Sequence, residues 1–283
     1  MATQFEFVRL VGAERRVGPT LASVSRHWRQ EEESFLFVSP HDDDVIIGGS
    51  LMILSALKEK VPVYVAVVTD GSMGYCSMEE KDQISAIRRK ETLNALKVLG
   101  VPRKNFFWLG YPDCRLSQFQ GRHPAVEGDP SPCCGFTGLQ NTFTELLRRV
   151  KPNQIFMPTV ADLHPDHILV HQEMLISCFH AAGEIWPELG RPLERVPYIH
   201  ELAVYCNFPS SPMLRIHAPD AAMRRKLKAI AQFKSQKQIA RLLEIVERGG
   251  PWEYQRPIEF ALYNPSLYRD RFDEPPKLKT IFR

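Results

Sequence analysis

No stretch of this sequence approaches the roughly 18 consecutive apolar residues that a membrane-crossing helix needs, which excludes a bilayer span. The opening residues, MATQFEFVRLVGAERR, lack the basic-then-apolar pattern of a secretory signal, so a cytoplasmic protein is the expectation. Charge of one sign is scarce: 36 Lys and Arg against 33 Asp and Glu leave a net +3. That is too small an excess for the basic face or stripe by which proteins hold nucleic acid. The six cysteines, Cys76, Cys114, Cys133, Cys134, Cys178 and Cys206, contain no Cys-x-x-Cys pair, which excludes a zinc knuckle or a dithiol redox motif. Reduced thiols are expected, including the vicinal Cys133-Cys134 in the Gly/Pro-rich stretch EGDPSPCCGFTG. Internal repeats and linkers are absent too. What is present, 44% hydrophobic and 24% charged residues over 283 positions, suits one large globular α/β domain.

The segment SFLFVS, residues 34–39, is short, mostly apolar and stopped by Pro40, as a strand buried on both faces of a parallel sheet should be. Gly48-Gly49 and SLMILSALKEK follow, with apolar residues at helical spacing, and VPVYVAVVTDG then reads as a second strand ending in Asp-Gly. Ile84, Ile87, Leu93, Leu96 and Leu99 mark a helix face over 82–99, closed by Gly100 as its C′ residue. NFFWLG predicts a third strand. Tyr111 to Gln140 is a loop of about thirty residues, long enough to shape a substrate pocket. The alternation resumes with a helix near 141–150, a strand in QIFMP and a helix from about Pro165 to His180. HELAVYCNF predicts another strand, and Asp220 to Arg248 one long basic helix with Asp220 as its N-cap. The last twenty-odd residues, rich in Pro, Tyr and Arg, carry no pattern that assigns an element. This order implies a Rossmann-like, doubly wound, mostly parallel sheet flanked by helices.

In such sheets ligands collect outside the carboxyl ends of the strands, which is where Pro40-His41-Asp42-Asp43-Asp44 falls. Imidazole nitrogen and carboxylate oxygen suit zinc, whose catalytic sites keep three protein ligands and one open position. Alone, three acids after a strand are equally well read as a solvated helix N-terminus, where carboxylates complement the dipole. The second turn, His164-Pro165-Asp166-His167, also follows a strand, and two independent clusters at one sheet edge favour a metal. His41, Asp44 and a distant histidine would supply the ligands. His167 and His171 lie four apart and share a helix face, so spacing leaves that histidine open. His27, His123, His180, His200 and His217 have no acidic or histidine neighbour in sequence and read as surface or packed residues.

With these residues the sequence resembles the PIG-L/LmbE-type de-N-acetylases, whose signatures run approximately Pro/Ala-His-Pro-Asp-Asp and His-Pro-Asp-His. PHDDD (40–44) and HPDH (164–167) stand in those places, TDGSMG (69–74) is similar to the family's Asp-Gly loop, and IRRKETLNALKVLGV (87–101) to its Arg-x-x-Glu helix. LGYPD (109–113) and FKSQ (233–236) resemble further segments, so the likeness spans a core of about 34–240, with a C-terminal extension over 241–283 inside a single domain of 1–283. TDGSMG and IRRKE are spelled most like diacetylchitobiose deacetylases. Asp42 departs from the family's proline, and with three acids in a row Asp42 or Asp43 competes with Asp44 as ligand.

The resemblance implies that His41, Asp44 and His167 hold Zn2+, that Asp43 is the general base, that His164 is the electrophilic partner and that Asp166 orients its adjacent histidine. It also implies that Arg88 and Asp113 contact sugar hydroxyls. Without it, Arg88 reads as a solvated helix charge and Asp113 as a turn residue after Pro112. The implied reaction removes acetyl from an N-acetylglucosamine-containing substrate. The ion activates water and polarises the carbonyl, Asp43 takes the proton, His164 stabilises the oxyanion, and Asp43 or His164 protonates the amine. A small amino-sugar or glycoconjugate is then the partner, and a trimer or hexamer the assembly the resemblance suggests. Two other readings remain: a phosphoesterase using the acids for magnesium, and a non-catalytic sugar-binding protein in which Asp42 marks a degenerate site.

Overall fold

A computed structural model describes residues 3–25, 27–260 and 263–273. Along the chain run strands β1 (Glu6–Val11), β2 (Glu14–Gly18), β3 (Phe35–Ser39), β4 (Val63–Thr69), β5 (Phe106–Tyr111), β6 (His123–Pro124), β7 (Phe136–Thr137), β8 (Gln154–Pro158), β9 (Tyr198–Leu202), β10 (Leu214–His217) and β11 (Trp252–Ile258). The helices are α1 (Leu21–Val24), α2 (Asp44–Lys58), α3 (Ile84–Leu99), α4 (Leu139–Val150), α5 (Pro165–Ala182), α6 (Asp220–Ile230), α7 (Ile239–Gly249) and α8 (Ser266–Asp273). No described helix is long and apolar enough to cross a membrane.

Every residue of β3 is buried because the strand is central and covered on both faces. Its side chains alternate: Phe35 and Phe37 join one apolar cluster with Leu51, Leu96 and Ile230, whereas Leu36 and Val38 join the other with Phe143, Leu146 and Val170. Helices α2, α3 and α6 therefore cover one face, and α4 and α5 the other. The five parallel strands lie in the order β9-β8-β3-β4-β5. The chain winds outward from β3 through β4 and β5, then returns to β8 and β9 on the other side. The crevice between the carboxyl ends of β3 and β8 is therefore the switch point, and both histidine-bearing turns open into it.

The expected α/β class holds, and the sheet is mixed. Beyond β9 the antiparallel strands β11, β10, β1 and β2 extend it, so residues before 34 and after 240 complete the same sheet. Gly100 caps α3 in the left-handed region, as predicted (φ 85°). The strand read as HELAVYCNF begins earlier and ends at Leu202, since the chain then leaves the sheet across α2: a Cβ on Gly48 would stand 2.9 Å from the Ala203 carbonyl. The predicted long helix over 220–248 is two helices. Pro219, not Asp220, is the N-cap of α6, and the chain breaks after Ile230 because Phe233 turns fully into the core. The last twenty-odd residues, where the sequence assigns no element, contain α8, with β11 just before them, while 274–283 lie outside the described residues.

One buried cation sets the far end of α5. The Arg148 guanidinium donates to the carbonyls of His180, Ala181, Gly183, Ile185, Trp186 and Gly190 at 2.7–3.3 Å, closing the helix C-terminus and the loop after it. A lysine cannot reproduce this fork. Arg148→Lys is expected to lower stability by about 3 kcal/mol in urea unfolding at neutral pH; an unchanged midpoint would count against the network. A second test uses His200, which stacks on Phe156 and is pushed down to about 3 by burial, with Arg9 adding to the effect. Its folded form refuses the proton that the unfolded chain accepts near pH 6.5, so its contribution is complete above that pH and falls as the pH drops. Between pH 6.5 and 5 the wild type should lose about 2 kcal/mol that His200→Leu does not lose, read as the difference between their unfolding curves.

Candidate metal centre

The turn after β3 is fixed by its neighbours. The Thr69 backbone N–H and hydroxyl both donate to the Pro40 carbonyl (3.0 and 2.9 Å), and the Ser39 hydroxyl bridges the His41 carbonyl and the Val45 N–H. The following loop is ordered by Asp70, whose Oδ1 accepts the N–H groups of Ser72 and Asp113. Gly71 takes φ +65° there, and a Cβ would meet Asp42 Oδ1 at 3.4 Å.

Three donor atoms converge in the crevice. His41 Nδ1 lies 3.3 Å from Asp44 Oδ2, His167 Nε2 lies 3.1 Å from that oxygen, and the two nitrogens are 3.1 Å apart. Hydrogen bonding alone would require two imidazole nitrogens 3.1 Å apart to share one proton, while the Asp44 oxygen already accepts the His41 backbone N–H at 2.7 Å. A tetrahedral ion with bonds of about 2.0–2.2 Å instead has ligand edges near 3.3 Å, so the triangle fits a metal. Asp44 also keeps a buried Oδ1 without a partner. Each histidine's other nitrogen faces carboxylates: His41 Nε2 lies 3.3 Å from Asp113 and 3.4 Å from Asp166, and His167 Nδ1 lies 3.2 Å from Asp162. Such outer carboxylates fix the tautomer and orientation of ligating histidines. Against the upward push of burial, His167 and His41 hold Asp44 well below the ordinary carboxylate range.

The remaining expected residues divide around this triangle. His171 pairs with Glu201 at 2.9 Å and stands outside it. Asp43, buried at the start of α2, accepts a hydrogen bond from Gln236 Nε2, and burial and the Asp44 charge raise its pKa. His164 caps α5 by accepting the Asp166 N–H on Nδ1 (3.2 Å), which in a neutral ring leaves the proton on Nε2. Burial and the nearby His41 favour that neutral form. The Asp166 carboxylate turns to His41 and to the Cys114 N–H, not to the histidines adjacent to it in sequence.

Arg88 and Asp113 are both buried and already engaged. Arg88 lies on the inward face of α3 with Glu91 and Thr92, where its guanidinium meets Asp42 at 3.3 Å and the Gly74 carbonyl at 2.9 Å. The apolar periodicity misplaced that face, because Ile87 and Leu93 are only half-buried. Asp42 is thus held by Arg88, and burial with the Asp43 charge, opposed by Arg88, raises it to about 7. Asp113 holds His41 and accepts the Met73 N–H. Sequence reasoning missed Asp162, Gln236 and Tyr205, whose ring lies 5.6 Å from that of His167. The FKSQ likeness signalled Gln236, and Tyr205 was assigned to a strand.

A Rossmann-like sheet with two imidazoles and a carboxylate converging at its switch point is the design of an α/β metal enzyme. The chain belongs to the PIG-L family, described as GlcNAc-PI de-N-acetylase, which matches residues 36–177, and it is an N-deacetylase by that membership. No curated protein matches it. Among solved structures it is similar to the N,N'-diacetylchitobiose deacetylase from Pyrococcus horikoshii, at 24% identity over 83% of this chain and 85% of that one, with a TM-score of 0.62. A conserved protein from Thermus thermophilus shares 23% identity over 82% of this chain and 98% of that one, with a TM-score of 0.61. GalB, the 4-carboxy-2-hydroxymuconate hydratase from Pseudomonas putida, shares 16% over 82% and 98%, with a TM-score of 0.63.

The placement of Arg88 is testable by stability. Arg88→Met leaves the buried Asp42 carboxyl and the Gly74 carbonyl without their donor and is expected to cost about 1–3 kcal/mol, part of it recovered in the Asp42→Asn/Arg88→Met double variant. Unfolding curves at neutral pH decide, and an unaffected single variant would contradict the pairing.

Proposed function

We propose that this protein is a zinc-dependent hydrolase that releases acetate from an N-acetylglucosamine-containing substrate. The observation that carries the reading is the triangle of His41 Nδ1, Asp44 Oδ2 and His167 Nε2, with edges of 3.1–3.3 Å. Two imidazoles and one carboxylate suit zinc better than magnesium, a hard ion that prefers oxygen. The fold does not choose the reaction, since a hydratase shares it; family membership supplies the acetamide.

His41, Asp44 and His167 are the residues that would hold the ion, oriented by Asp113, Asp166 and Asp162. When bound, zinc supplies Lewis acidity toward water and a carbonyl. The residues of the chain do the rest. Asp43, adjacent to a ligand and held on one oxygen by Gln236, has its other oxygen to take a proton from the attacking water. His164, neutral with its free N–H on Nε2, donates to the oxygen on which charge develops in the tetrahedral intermediate.

Acetate release measured on a panel of N-acetylglucosaminyl compounds, with metal content read alongside, tests the proposal. Asp43→Ala should keep the metal and lose activity by about 10²-fold or more. His41→Ala and His167→Ala should lose the metal itself. Full activity in the first variant would overturn the base assignment, full occupancy in both others the ligand set, and a metal-loaded wild type that releases no acetate the function.

A further inference from the structure

We propose that Gln236 is the positioning residue for Asp43, and that Glu91 and Ser235 form the latch that delivers it. The inference rests on the reading of Asp43 as general base, and its evidence is the unexpected break between α6 and α7. Asp43 occupies the N-cap position of α2, where an aspartate ordinarily fixes its own side chain by accepting a backbone N–H of the first turn. Its side chain makes no such bond. The neighbouring N–H groups are taken elsewhere: Val45 donates to the Ser39 hydroxyl, and Ile46 and Ile47 to the Asp43 carbonyl. The carboxylate is anchored instead by Gln236 Nε2 on Oδ2. A carboxylate only accepts, so the amide must present its nitrogen, and its orientation follows from chemistry. One oxygen is thereby held and the other is left for water.

The amide arrives from nearly two hundred residues away in sequence, and three contacts bring it in. Phe233 is fully buried in the core. Ser235 donates twice to a single carboxylate, its N–H to Glu91 Oε1 at 2.9 Å and its hydroxyl to Glu91 Oε2 at 2.7 Å. Lys237 Nζ donates to the Cys76 carbonyl at 2.7 Å. Glu91 itself is buried, one helical turn beyond Arg88 on the inward face of α3. The Arg-x-x-Glu segment therefore serves both outer acids of the turn: Arg88 holds Asp42 directly, and Glu91 holds the residue beside the one that holds Asp43. Without the latch, nothing fixes which carboxylate oxygen faces the water, because the first-turn amides of α2 that would hold an N-cap aspartate are already engaged.

The test uses the metal-loaded full chain, with kcat, KM, metal content and thermal midpoint measured for each variant. Gln236→Ala should lower kcat about tenfold, with KM and metal content within about twofold of wild type. Ser235→Ala and Glu91→Gln should each lower kcat by a smaller factor, their double variant should fall no further than the worse single, and Ser235→Thr, which keeps the hydroxyl, should restore most of the rate. Gln236→Ala should add nothing in the Asp43→Ala background. Wild-type kcat in Gln236→Ala, or a full further loss in the Asp43→Ala background, would overturn the proposal. So would metal loss parallel to the loss of rate. If Asp43→Ala is inactive while Gln236→Ala is not, the latch fails and the base assignment stands; if Asp43→Ala is active, the base assignment fails first, and the deacetylase reading fails only if the metal-loaded wild type releases no acetate. A crystal structure of Gln236→Ala supplies a readout independent of substrate: the Asp43 carboxylate should leave its wild-type orientation, and an unmoved carboxylate would also overturn the latch.

Discussion

Three consecutive carboxylates are buried side by side after the central strand, and the architecture around them is an answer to that problem. Asp42, Asp43 and Asp44 are each at most 4% exposed. Burying even one ionised carboxylate without a partner is prohibitive, and adjacent like charges raise the cost. Each acid is therefore given a different partner: Asp42 a guanidinium, Asp43 an amide, Asp44 two imidazoles. The differences in partner become differences in role. A cation pairs with its acid, an amide orients without neutralising, and two imidazoles converge on one oxygen in a set that could hold an ion.

These partners come from separate parts of the chain, and the fold brings them together. The switch point of the sheet opposes the ends of β3 and β8, which supplies His41, Asp44 and His167. Helix α3 crosses behind the turn and supplies Arg88; the break between α6 and α7 supplies Gln236. Outer carboxylates from the loops after β5 and β8 and from the first turn of α5 then hold the histidines, Asp113 and Asp166 on His41 and Asp162 on His167. The charges alternate in shells, acid to imidazole to acid, so that few buried groups face their own sign.

What could be read from sequence follows the range of the interaction. The parallel strands and the two histidine turns were legible because apolar runs and clustered ligands are local patterns. The inward face of α3 was not, because Arg88, Glu91 and Thr92 are buried by polar partners that periodicity of apolar residues cannot register. The break after Ile230 was missed for a related reason: the segment is helical by composition, and only the burial of Phe233 and the Glu91–Ser235 pair override that preference. Residue identities at the site were found where a motif spelled them; their contacts, as with Asp166 and Asp113, were set by tertiary geometry.

Asp42 shows how the turn tolerates losing the proline that stands there in relatives of similar spelling. Proline restricts a turn covalently, by fixing one backbone angle. Here the restriction is distributed: Thr69 holds the Pro40 carbonyl at two points, Ser39 bridges the turn, and Arg88 holds the Asp42 side chain while Thr92 reaches its carbonyl. The carboxylate that competes for the ligand role in sequence is held by Arg88 of α3 and is not among the donor atoms that converge with His41 and His167. A third acid at the ion would have changed the charge of the site. Paired with Arg88 it leaves the triangle to Asp44 and the two histidines, which makes Asp42 compatible with the chemistry proposed for them.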